Sequence, residues 1–193
     1  MIDQGDLDDE AKPTDAPNNS IIVAPEVVHL SRFADSYKVY RDAASPTGAA
    51  LCLHNAGVAQ KLQRHSLVRM WKILATLLQG ARVDRLPFDP TEPMNAIRFA
   101  LLPATKKMLE EQANVGNVQT CVAICEILQV FPDEESGEGT TTRIPGLEVT
   151  LVREWYLSYI DLLQDMCLFS HAAAVIRVCK DPVVAALNQQ STT

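Results

Sequence analysis

The residue types able to do chemistry are few here, and their spacing decides what they can do. The 193-residue chain holds four histidines (29, 54, 65 and 171) and five cysteines (52, 121, 125, 167 and 179). Cys52 and His54 stand two apart, and on a helix such residues point about 200° apart, so they cannot form a nucleophile–base dyad. His171 follows Ser170 at an expected helix start, where the serine reads as a cap. Cys121 and Cys125 share a helical face, but Val122, Ile124 and Leu128 surround them and no histidine completes a zinc-binding set. The odd cysteine count, apolar surroundings and lack of a C-x-x-C pair read as reduced thiols in a core. No G-x-S-x-G, H-E-x-x-H, phosphate-loop or dinucleotide motif occurs. The expectation is a protein that is not an enzyme, with no catalytic residue, cofactor or metal.

Aromatic residues carry the other candidate site. Trp155, Tyr156 and Tyr159 form the densest aromatic patch. The first and last share a helical face and Tyr156 is rotated by about 100°, so core packing competes with a protein-docking site in which at least one ring reaches the surface. Lys106/Glu110 and Lys107/Glu111 make two i, i+4 pairs on one solvated face.

The elements that would position these residues are helical throughout. Pro25 opens a helix expected to stop near Ala44, before the turn Ser45-Pro46-Thr47-Gly48. Helices over 49–61, with Gly57 as a close-contact position, and 65–79, stopped by Gly80, form a first hairpin. Three prolines between Leu86 and Pro93 make a connector pinned by Leu86 and Phe88. A helix over 94–115, kinked or divided at Pro103, and one over 118–128 form a second hairpin across the Gly116-Asn117 turn. Residues 132–145 read as a mobile acidic loop. Helices from Leu147 to Met166 and from Leu168 to Cys179 make a third hairpin, and a short turn follows Pro182. No alternating strand pattern competes. The fold class is therefore all-α: an irregular α-solenoid of about three stacked hairpins over residues 25–189, with residues 190–193 as its end.

Composition narrows the partners. The net charge is −7 and 47% of residues are hydrophobic. A chain of this length buries roughly 70% of its unfolded surface without staples. Met1 to Asp15 holds six acids against one lysine, so residues 1–24 read as a disordered acidic tail and not a secretory signal, and a cytoplasmic chain is expected. The basic residues are scattered, which argues against nucleic acid, and no apolar stretch would insert in a membrane.

Specific strings point further. Gly116-Asn117-Val118-Gln119, the run Trp155-Tyr156-Leu157-Ser158-Tyr159-Ile160-Asp161-Leu162-Leu163-Gln164, and Leu187-Asn188-Gln189-Gln190-Ser191-Thr192-Thr193 resemble the C-terminal α-solenoid of the WD repeat-containing protein twenty-four family, a subunit of the SEA/GATOR nutrient-sensing complex. His54-Asn55-Ala56-Gly57-Val58-Ala59 is similar to another of its helices. The likeness runs roughly from Glu26 to Thr193 and is strongest after Leu151. Asn117 stands where the family usually has Asp, and Gln190 where it usually has Ala.

The resemblance implies a scaffold that binds Seh/Sec-type propeller subunits and other WD-repeat subunits, sits at the lysosomal or vacuolar membrane and promotes amino-acid signalling to the TOR kinase. The family's β-propeller and RING-like zinc module have no counterpart in these residues. Ligase activity and zinc binding are thus not implied, and a partial product or a divergent short form is expected. The alternative is an unrelated helical adaptor or TPR-like peptide-binding module.

Overall fold

The computed structural model describes residues 32–39, 44, 46–83, 96–131 and 142–190. The expected tail, the pinning residues Leu86 and Phe88, and residues 132–141 of the acidic loop lie outside them. Among the described residues there is no strand. A helical turn over 32–36, α1, is followed by α2 (Gly48–Lys61), α3 (His65–Ala81), α4 (Ala96–Asn114), α5 (Val118–Leu128), α6 (Val149–Asp165), α7 (Phe169–Val178) and α8 (Pro182–Gln190).

From α2 to α8 each helix packs on the next, so the three expected hairpins are present as α2–α3, α4–α5 and α6–α7. Contacts of α3 with α4, α5 with α6 and α2 with α5 join the hairpins into one stack. The core runs through the layers: Leu51 and Cys52 of α2, Trp71 and Leu74 of α3, Leu101 and Leu109 of α4, Ile124 and Leu128 of α5, and Val152 and Leu163 of α6 are all essentially inaccessible. Burying a side chain of this size contributes about 1.5–3 kcal/mol.

One device ends five successive helices. The chain turns left-handed at Gln63 (φ 57°), Arg82 (φ 52°), Gly116 (φ 73°), Gln129 (φ 52°) and Cys167 (φ 59°). At each, the next residue's N–H reaches back five positions, as in Arg64 to Ala59, Val83 to Leu78, Asn117 to Gln112, Val130 to Cys125 and Leu168 to Leu163. These paired bonds satisfy carbonyls that a helix end otherwise leaves bare. Only one of the five sites is glycine, although the left-handed region costs other residues about 1 kcal/mol.

Several expectations change. Gly80 does not stop α3; it lies within the helix, and Arg82 makes the cap. Pro103 does not divide α4, which runs through it. Gly57 is not a close-contact position, since a Cβ there would meet nothing within 4 Å. Ser170 is inside α7, whose cap residue is Leu168, and no side chain caps it. The loop before α6 ends in an anchored piece: Arg143 N–H bonds to Val130 O at 2.9 Å and Ile144 is buried.

The first helix also ends early, with residues 37–39 already non-helical. The cause is Asn55 on α2. Its Oδ1 accepts from Lys38 N–H at 2.9 Å and its Nδ2 donates to Lys38 O at 3.0 Å, so that backbone is not free to continue the helix. Residues 33–39 thus form a strap laid over the stack.

Candidate functional site

The aromatic residues meet in the seam between strap and layers. Tyr37 of the strap stacks on Phe33 at 4.7 Å and stands edge-on to Trp71 at 5.6 Å, and Trp71 Nε1 donates to its hydroxyl at 3.0 Å. Across the stack, Gln119 Nε2 of α5 donates to Tyr159 Oη of α6 at 3.0 Å. Each buried polar head thereby has a partner, as its desolvation requires.

Trp155, Tyr156 and Tyr159 are all buried, at 5%, 1% and 6% exposure. Of the two readings left open for the trio, core packing is the one this burial favours, since none of the rings reaches the surface. Position explains it: α6 packs against α5, α7 and α8, so the faces of both Trp155 and Tyr156 are covered.

Tyr156 instead does something local. Its hydroxyl donates to Glu126 Oε1 at 2.6 Å. Burial pushes the Glu126 carboxyl from 4.5 up to about 7, opposed by this hydrogen bond and by the charge of Lys180. Glu126, Tyr156, Phe131, Val178 and Lys180 line a crevice of about 390 Å³. Nothing in the sequence pattern marked Glu126, because its partner lies thirty residues away on another helix.

The cysteines divide four to one. Cys52, Cys121, Cys125 and Cys179 are buried and Cys167 is exposed, so the reading of all five as core residues fails at Cys167, which sits in the left-handed turn after α6. Burial pushes Cys52, Cys121 and Cys179 up to about 12 and Cys125 well above its ordinary value. Thiols held neutral in this way are poor nucleophiles. His54 Nε2 lies 3.0 Å from Ser36 O, and His171 Nε2 lies 3.1 Å from Asp35 Oδ1, so both histidines hold the strap.

Arg153 and Asp181 form a forked ion pair, with Nε to Oδ1 at 3.0 Å and Nη2 to Oδ2 at 2.9 Å. Asp181 Oδ1 also accepts from Val183 and Val184 N–H, which caps α8 while tying it to α6. Lys106–Glu110 and Lys107–Glu111 are present as surface pairs at 3.8 and 3.9 Å.

What the chain offers a partner is therefore an outer surface of helices. No protein-family model matches it. A stretch of 95 residues, 49% of the chain, is 32% identical to the GATOR2 complex protein WDR24 of Dictyostelium discoideum and spans 8% of that protein. A stretch of 91 residues, 47% of the chain, is 34% identical to the GATOR2 complex protein WDR24 of Danio rerio and spans 10% of it. The chain resembles WDR24 over half its length. It spans about a tenth or less of these WDR24 relatives, so the likeness is to one segment of them. That segment-level likeness agrees with the strings that pointed to the family, and the all-helical stack agrees with an α-solenoid.

Proposed function

We propose that the chain is a non-enzymatic scaffold segment that holds protein subunits together in an assembly of the SEA/GATOR type. The observation that carries this reading is the similarity of half the chain to GATOR2 complex protein WDR24 in two distant organisms. The fold supports it: stacked hairpins present ridged helical faces on which other proteins lie, and polar groups inside the stack are used to hold layers together. Through that assembly the chain promotes amino-acid signalling to the TOR kinase at the lysosomal or vacuolar surface. Its partners are Seh/Sec-type propeller subunits and other WD-repeat subunits. No described helix is long and apolar enough to cross a membrane.

Co-purification of the tagged chain with SEA/GATOR-type subunits from native extracts tests the reading. Retention of several such subunits supports it, and their absence while the chain is shown folded refutes it. A peptide-binding helical adaptor is the second reading, favoured by the crevice beside Glu126. It predicts instead that an extended peptide protects Phe131 and Tyr156.

A further inference from the structure

From Ala44 to Val83 the chain holds five basic residues, Lys61, Arg64, Arg69, Lys72 and Arg82, and not one Asp or Glu, although the whole chain carries −7. No run of lysines advertises this; the signal is the missing acids. Two of these charges, with an apolar pair, stand on one face of α3. Arg69, Lys72, Ile73, Thr76 and Leu77 surround a shallow depression of about 290 Å³. They recur at i, i+3, i+4, i+7 and i+8, opposite the buried stripe of Leu67, Trp71, Leu74 and Leu78. Ile73 is 46% exposed. Among the described residues neither Arg69 nor Lys72 makes an ion pair.

We infer that this face of α3 is a docking surface for an acidic amphipathic helix of a partner subunit. Apolar side chains of that helix seat between Ile73 and Leu77, and its carboxylates meet Arg69 and Lys72. Charge complementarity selects the occupant, because α3 has no acid of its own to answer its bases or to repel an acidic partner. The spacing selects its shape, since such ridges receive another helix in their grooves. An anionic membrane fits less well: surface anchoring draws on clusters of four to eight bases and on interfacial aromatics, whereas this face has two bases and Trp71 points inward. The inference rests on the scaffold reading and names the surface that reading leaves open.

The test uses the full chain with one of two matched charge reversals, Lys72→Glu on α3 or Lys107→Glu on α4, in the co-purification above. Both residues are exposed and both substitutions change net charge equally. Lys72→Glu is expected to lower retention of a SEA/GATOR-type subunit about tenfold, and Lys107→Glu less than about twofold. A second variant, Ile73→Ser, is expected to lose the same subunit with the thermal midpoint unchanged. Equal retention by wild type, Lys72→Glu and Ile73→Ser overturns the inference and leaves the scaffold reading standing; failure of the wild type to retain any subunit removes both. Two other occupants would also overturn it. One shows as loss of binding to phosphatidylserine vesicles, with subunit retention intact. The other shows as a wild-type self-assembly that Lys72→Glu disperses and Asp161→Lys, at an exposed position of α6, restores.

Discussion

Asn55 closes both ends of its side-chain amide on the backbone of one residue, Lys38, seventeen positions earlier, and is itself fully buried. The arrangement mimics one rung of a sheet inside a helical protein. It pins the strap, and through the strap it places Tyr37 against Trp71 and Asp35 against His171.

Removing that amide breaks both of its hydrogen bonds to the Lys38 backbone. Asn55→Ala is expected to cost about 1–3 kcal/mol, since each bond contributes about 0.5–1.5. Urea unfolding measures the loss, and amide exchange at residues 37–39 should accelerate before the rest of the chain. An unchanged midpoint would mean that the strap is not held here.

Glu126 makes stability depend on pH. The unfolded chain gives up this proton near 4.5 and the folded chain near 7, so between those values the folded state holds more protons and stability falls as pH rises. Above 7 the full cost, on the order of 3 kcal/mol, is present. Glu126→Gln keeps an acceptor for Tyr156 and abolishes the titration. Its thermal midpoint should match wild type near pH 4.5 and exceed it at pH 8; parallel curves would contradict this.

Asp181 has two jobs that substitution separates. Asp181→Asn keeps an oxygen for the N–H groups of Val183 and Val184 but loses charge toward Arg153, whereas Asp181→Ala loses both. Expected costs are about 1 and about 3 kcal/mol. Early exchange confined to α8 should accompany the alanine variant alone.

The left-handed caps give opposite signs at two positions. Gln63→Gly at φ 57° relieves a side chain from a region it disfavours, and about 0.5–1 kcal/mol of stabilisation is expected. Gly116→Ala at φ 73° should destabilise by a similar amount, with no clash to blame, since nothing lies within 4 Å of a new Cβ. Chemical denaturation of both variants settles the signs.

The helices and their pairing were legible in the sequence because apolar spacing of three and four survives wherever a helix buries one side. The ends were less so. Gly80 looked like a stop and is not, because four of five left-handed turns fall on Gln63, Arg82, Gln129 and Cys167, residues with no terminating signature. The early end of α1 was hidden because it depends on Asn55, a contact formed only in the folded chain. The aromatic trio stays undecided between core and docking site in the sequence, because periodicity shows which residues share a face but not how many neighbours cover a helix. Glu126 and the acid-free hairpin escaped for opposite reasons: one is defined by a distant partner, the other by residues that are missing.

The central claim is that this stack is a surface for holding other subunits. Sedimentation velocity of the purified chain mixed with purified Seh/Sec-type propeller and WD-repeat subunits tests it most directly. The account predicts a new, heavier boundary containing the chain, which retreats as salt is raised. Separate, unshifted boundaries, with circular dichroism showing the chain helical in the same buffer, would contradict it.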